Sequence, residues 1–324
     1  MSGYSVFIGD VSMDEYFRPS NWPAEAGSKI DLYPLGSHTG GMIANAAVVY
    51  AGLGGDARFL WSMNDGALTQ ALLEDLQENR VDTALVTRNP ALADSRNIIV
   101  LAHGEHTVMT PALGLETIEL DDAAMQTLCA AQYVYTAIGD LRCLRHRTSG
   151  PAQVMAQVRD GGAQFVLDLD VANVREGDDE LISGADILLS NRRGFQRYCA
   201  GRAEDKVIDG LLSGGVRTVV VTLGADGCRL VSAQEQVRIP GIPADAVDVT
   251  GAGDTFGAAL VHALEITDSL QAAGAFANAA AARAVTALGA RSGVASHDEV
   301  VDFAHTHDVL LTDIKNPPPK GQTS

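Results

Sequence analysis

The stretch DVTGAGDTFGAAL, residues 248–260, opens an apolar segment with three glycines and two aspartates. Glycine costs a helix stability, so a cluster at a helix mouth needs a reason. The first turn of a helix carries unsatisfied N–H groups and partial positive charge, and glycines there let the backbone wrap an anion closely. Gly251, Ala252 and Gly253 would form such a cradle. An aspartate beside it would repel a phosphate unless it has another task, and Asp254 reads as a base for a hydroxyl proton. Together they describe phosphoryl transfer: a hydroxyl held by Asp254 attacks a γ-phosphoryl whose charge the amides gather. The competing reading is that Asp254 caps a helix beginning near Thr255. The segment alone does not decide between them.

Outward from this segment, short β-rich runs (YSVFIG from Tyr4, ARFLW from Ala57, YVYTAI from Tyr133, QFVLDLD from Gln164, DILLS from Asp186, RTVVVTLG from Arg217) alternate with Ala- and Leu-rich segments of helical spacing. Alternation of this kind predicts an α/β fold, a mostly parallel sheet covered on both faces. The helical segments start at Gly41, Ala67, Ala203 and Ser269, and the last is expected to run to Gly289. Two regions break the pattern. Residues 11–36 are Pro-rich and mixed, and residues 94–114 read as a hairpin with His103-Gly104-Glu105 at its turn. Together they are expected to form one small antiparallel flap.

The chain has 324 residues, 46% of them hydrophobic, enough for one large core. Its formal net charge of −18 argues against nucleic acid or an anionic membrane surface as partner and favours a small molecule. No apolar run is long enough for a membrane span and no signal-peptide pattern opens the chain. The four cysteines are scattered without a CxxC pair, which suits a reducing, cytoplasmic setting. There is no GxxxxGK[ST] loop. The glycines of GAGDTFG are spaced GxGxxxG and lie late in the chain, so a nicotinamide-dependent oxidoreductase is a remote alternative.

DVTGAGDTFGAAL resembles the C-terminal signature of the PfkB, or ribokinase-like, carbohydrate kinase family, and GGMIANAAVVYAGLGG (residues 40–55) resembles its N-terminal signature. Further likenesses are NDGALTQALLEDLQENRVDT from Asn64, the hairpin HGEHTVMT, and VTLGADGC from Val221. The resemblance implies a three-layer α/β/α kinase domain over residues 1–314, with lid segments at about 11–36 and 94–114; the low-complexity tail KNPPPKGQTS, residues 315–324, is expected from its composition to be disordered. The resemblance also implies ATP and Mg²⁺ as cofactors, Asp254 as catalytic base and the 251–253 amides as anion hole. Asn191, Thr222, Gly224, Gly227 and Asn278 would line the ATP site. Ser12, Asp14, Gly40, Gly41 and Asn45 would hold a sugar-like substrate; a carboxylate and an amide suit vicinal hydroxyls. Asp248 and Thr250 match positions that help hold potassium in several members, with carbonyls near 287–292. A homodimer through the lid is the partner that the resemblance suggests.

The chain also departs from the family pattern. Where members often carry NxxE it has Asn191-Arg192-Arg193-Gly194, without the Glu tied to magnesium, and Met42 stands where ribose-specific members carry lysine. Arg142, in the basic run GDLRCLRHR, and Arg96, on the flap, are candidates for an anionic acceptor. A nucleoside kinase using Tyr16, Phe17, Trp22 or Tyr33 as a base platform, and a non-catalytic sugar or nucleotide sensor, are the alternatives.

Overall fold

The structure is a computed structural model that describes residues 3–23, 27, 29–291 and 293–315. All of the expected tail except Lys315, and Ser292 of the expected cation shell, lie outside the described residues. A nine-stranded sheet forms the centre. Its seven parallel strands run in the order Thr218–Thr222, Ile187–Asn191, Gln164–Asp168, Tyr133–Ala137, Ser5–Ile8, Ala57–Leu60 and Val81–Asp82. Ser5–Ile8 and Tyr133–Ala137 are buried along their whole length, which is why their sequences are continuous and not alternating.

Two strands were not read from the sequence. Cys228–Ser232 and Gln236–Ile239 extend the sheet beyond Thr218–Thr222 in antiparallel fashion. Val237 and Ile239 are buried and their neighbours exposed, so this edge carries a half-buried alternation inside a stretch that reads as loop. The Ala-rich helix also differs from expectation. It spans Leu270–Ala284 and stops short of Gly289, because Val285 turns its carbonyl to the amides of Val247 and Asp248 at 2.8 and 3.2 Å.

The two insertions meet in a four-stranded sheet, Leu32–Gly40, Ser12–Pro19, Arg96–Ala102 and Glu105–Met109. It is mixed, in contrast to the antiparallel flap expected. Each insertion is a hairpin that contributes its first strand to the centre, so those two strands pair in parallel, Met13 opposite Arg96 through Phe17 opposite Val100. The turn at His103 and Gly104, φ 54° and 80°, connects the second hairpin in the geometry that favours strand twist.

The helix Ala252–Leu264 packs against the helices Met42–Gly52 and Leu270–Ala284. Gly257 permits a close approach to the sheet: a Cβ there would lie 2.2 Å from the hydroxyl of buried Tyr135. Among the described residues no helix is long and apolar enough to cross a membrane.

Candidate active site

The helix carrying Asp254 begins at Ala252, with Gly251 as N-cap and no side-chain cap. Asp254 therefore sits inside the first turn, and the capping alternative is excluded. Gly251 has φ 76°, and a Cβ would lie 2.2 Å from the carbonyl oxygen of Ala290, so the left-handed turn and the close approach both require glycine. The first helical bond runs from Thr255 N to Gly251 O, leaving the amides of Gly253 and Asp254 ahead of the ladder. A Cβ on Gly253 would meet nothing within 4 Å. The glycine there keeps one face of the turn open.

The side chain of Asp254 accepts a hydrogen bond from Asn45 Nδ2 at 2.9 Å. Burial pushes its carboxyl up to about 7; Asn45 and Arg291 favour the ionised form, while Asp168 and Asp10 oppose it. Asp10 follows the first strand and Asp168 ends the strand Gln164–Asp168, the region where parallel sheets bind ligands. Burial raises each of these two to about 6. Asn45 in turn accepts from Arg291 Nε at 2.9 Å, and Arg291 also pairs with Asp75 and donates to Gly40 O.

On one side of the 252–254 turn lies a cleft of about 790 Å³, whose lining includes Ala252, Gly253, Phe256, Thr222, Gly224 and Asn278. Asn191 and Gly227 line it as well. Asn191 is the N-cap of the helix Arg192–Cys199, accepting from Gly194 N at 2.8 Å, and Asn278 donates to Pro240 O at 2.9 Å. Both amides thus shape the cleft wall. The volume and the open glycine turn fit a nucleotide. Among the described residues no Asp or Glu lines the cleft, and no group of three His, Cys, Asp or Glu could hold a metal. A magnesium ion would then rest on phosphate oxygens and water, as its reluctance to dehydrate allows.

A second cavity, of about 260 Å³, lies between the body and the four-stranded sheet, lined among others by Ser12, Asn97, Arg96, Asp10, Asp140 and Trp61. Asp14 Oδ1 accepts from Asn97 Nδ2 at 2.7 Å and from Ser12 Oγ at 3.2 Å. A Cβ on Gly40 would lie 2.2 Å from Asp14 Oδ2, and one on Gly41, φ 97°, would lie 2.6 Å from Asp10 O. The glycine pair therefore makes room for the carboxylate and for the backbone crossing beside it. The aromatic residue on this cavity is Trp61, while Tyr16, Phe17, Trp22 and Tyr33 are not among its lining.

Arg142 does not join the site, which corrects its assignment to the substrate. Its guanidinium forms a two-pronged pair with Asp178, 5% exposed, at 2.9 and 3.2 Å and donates to Asn173 O. The neighbouring His146 and Arg147 pair with Asp122, so the basic run is consumed locally. Arg96 reaches the cavity while pairing with Asp94 and Glu15 at 3.0 and 3.4 Å. Asp248 accepts from Thr250 N and Gly289 N, both at 2.9 Å. Burial raises its carboxyl, yet these amide bonds outweigh that and hold it below the usual carboxylate range. Arg291, Asn97, Asp10 and Asp168 were missed in the sequence. Asp10 and Asp168, each at the C-terminal end of a parallel strand, carried a signal that could have found them.

An α/β core with an open helix mouth beside a nucleotide-sized cleft, and with a smaller polar cavity nearby, has the parts that phosphoryl transfer needs. The pfkB family carbohydrate kinase model matches residues 3–297, and the chain belongs to that family. It is 28% identical over 305 residues to a ribokinase of Bacillus subtilis, covering 91% of this chain and 97% of that protein. It is 26% identical over 312 residues to an aminoimidazole riboside kinase of Salmonella typhimurium, covering 87% and 94%. Among solved structures, ribokinase of Arabidopsis thaliana complexed with ribose and ATP superposes with a TM-score of 0.79 at 24% identity, covering 94% of this chain and 99% of that one. Ribokinase of Thermotoga maritima gives 0.78 at 23%, with the same coverage. The solved structures share the fold.

Proposed function

We propose that the protein transfers the γ-phosphoryl of ATP to a hydroxyl, a primary one in our reading, of a neutral sugar or sugar-like acceptor. The observation that carries this is the position of Asp254: Ala252 and Gly253 line the large cleft, while Asp254 feels Asp10, which lines the small cavity. ATP would occupy the cleft, with Asn191, Thr222, Gly224, Gly227 and Asn278 forming its walls. The acceptor would lie in the small cavity, which Ser12 lines; Asp14 is bonded to the lining residues Ser12 and Asn97, while Gly40, Gly41 and Asn45 are not among the lining and would be met only as the acceptor extends towards Asp254. The carboxylate of Asp254 takes the hydroxyl proton as the acceptor oxygen bonds to the γ-phosphorus. The bond to the bridging β–γ oxygen breaks, ADP leaves, and the open amides of the first turn hold the charge on the equatorial oxygens. Mg²⁺, when bound, supplies further neutralisation of that charge.

Arg142 is tied up elsewhere, Arg96 reaches the small cavity already paired with Asp94 and Glu15, and Asp10 and Asp140 line it as well, so an anionic acceptor is disfavoured. The four-stranded sheet would act as a lid that excludes water, and its exposed Tyr33, Leu35 and Val108 support a homodimer through that sheet. Asp248 uses its oxygens on two amides, which supports a loop-shaping role; a potassium ion would have to be held alongside those bonds. The scattered, free cysteines support a reducing, cytoplasmic setting.

An ADP-release assay with neutral sugars, sugar acids and nucleosides tests the reading. Stimulation by a neutral sugar is expected. ATP binding without stimulation by any acceptor would favour the sensor, and stimulation by nucleosides alone would move the acceptor assignment to them.

A further inference from the structure

Two arginines open the helix Arg192–Cys199, and nothing acidic accompanies them in its first turn. Cations belong at the other end of a helix, since the N-terminus already carries partial positive charge. The placement is odder still in a chain with 23 basic and 41 acidic residues. Both arginines line the large cleft. Arg192 has an internal partner: it pairs at 2.6 Å with Asp226, on the Gly224–Asp226 turn of the facing wall. Arg193 makes no hydrogen bond or ion pair among the described residues, and it is exposed. Asn191 already satisfies the turn by capping Gly194 N, so Arg193 adds nothing to the helix itself.

Position 194 sharpens the point. A Cβ on Gly194 would lie 3.0 Å from Ser190 Oγ and 3.3 Å from Asn191 Oδ1, so those side chains would have to give by a few tenths of an ångström to admit one. Among the described residues the cleft lining holds no carboxylate, and its charged side chains are the two guanidinium groups. A local arrangement that disfavours its own helix is expected where the site gains what the helix loses.

We propose that Arg193 is a nucleotide-recognition residue that binds the polyphosphate and supplies, from the chain itself, part of the positive charge that a divalent cation otherwise brings. The inference rests on the nucleotide reading of the large cleft. A planar guanidinium with several N–H donors suits phosphate oxygens, and the Arg192–Asp226 pair neutralises the neighbouring charge so that Arg193 alone is available. The residue acts on affinity for phosphates and leaves the nucleoside part of the ligand to the apolar wall.

Calorimetry with ATP, ADP and adenosine, each in EDTA and in Mg²⁺, tests this on the wild type, Arg193→Gln, Arg193→Lys and Arg197→Gln. Arg197 is exposed in the last turn of the same helix and serves as control. Arg193→Gln should weaken ATP in EDTA by about ten- to a hundred-fold, the value of one charge-assisted hydrogen bond, with less effect in Mg²⁺ and none on adenosine. Arg193→Lys should keep part of the affinity and Arg197→Gln all of it. Equal loss for ATP and adenosine, or no loss for ATP in EDTA, overturns the proposal while leaving the cleft as a nucleotide site. A wild type that binds none of the three ligands overturns both.

Discussion

Asn45 Nδ2 donates to Asp254 Oδ2 at 2.9 Å, and the opposite side of the same amide, Oδ1, accepts from Arg291 Nε at 2.9 Å. The guanidinium fixes which way the amide faces, and the amide in turn orients the carboxylate. Asp254 must be ionised to accept a proton, and its carboxyl sits at about 7. Activity should therefore rise with pH through about 7 and level off above it. Asn45→Ala removes a donor that favours the carboxylate, so the rising limb should move to higher pH. Asp254→Asn should fold, bind ATP and lose about 10²–10⁴-fold in turnover. A limb that stays in place in Asn45→Ala, or near-normal turnover in Asp254→Asn, would sink the assignment.

Gly251 and Gly253, two residues apart, should respond in opposite ways to alanine. At position 251 the methyl meets a backbone oxygen at 2.2 Å in a left-handed conformation, so thermal stability should drop. At position 253 nothing stands within 4 Å, and alanine in a helix is worth about 0.5–1 kcal/mol over glycine. Gly253→Ala should melt no lower than wild type yet lose kcat, because its methyl fills the open face of the turn. Calorimetry beside initial rates separates the two effects.

Arg142→Gln addresses the residue that sequence reasoning placed on the substrate. It leaves Asp178 buried without its partner, which should cost about 3 kcal/mol of stability. The KM for the acceptor should not change. Denaturant unfolding and acceptor titration check the two halves separately, and a raised acceptor KM would return Arg142 to the site.

Glu265 follows the far end of the same helix that carries Asp254, and it accepts hydrogen bonds from Tyr50 and Ser5. Burial outweighs those bonds and raises its carboxyl from 4.5 to about 7. The folded state then holds this proton more tightly than the unfolded chain does. Its stabilising contribution is complete below about 4.5 and is lost as pH climbs through about 7. Glu265→Gln should flatten that decline, by at most about 3 kcal/mol across the interval. Unfolding at pH 5 and pH 8 measures it; an unchanged pH dependence would contradict the shift.

Much of this was legible in the sequence for identifiable reasons. Buried parallel strands read as unbroken apolar runs, and the helix-mouth glycines announced a cradle because glycine is costly anywhere else in a helix. The remainder depended on distance along the chain. Arg291 is one arginine among small residues, and nothing nearby shows that it reaches Asn45, 246 positions earlier. The run around Arg142 misled because charge density does not reveal partners, and Asp178 lies 36 residues on. The antiparallel edge Cys228–Ile239 escaped because it is short and adjoins a glycine-rich turn.

The link between Asn45, Asp254 and Arg291 also bears on when the enzyme comes into being. As the polypeptide emerges from the ribosome, the residues proposed to hold the acceptor are made long before Asp254, and the clamp on Asn45 follows only after residue 291 has been made. A shortened product ending before that point would keep most of the central sheet and lack a held carboxylate. Long-range closure of this kind is slow relative to local folding, so activity should be among the last properties to appear.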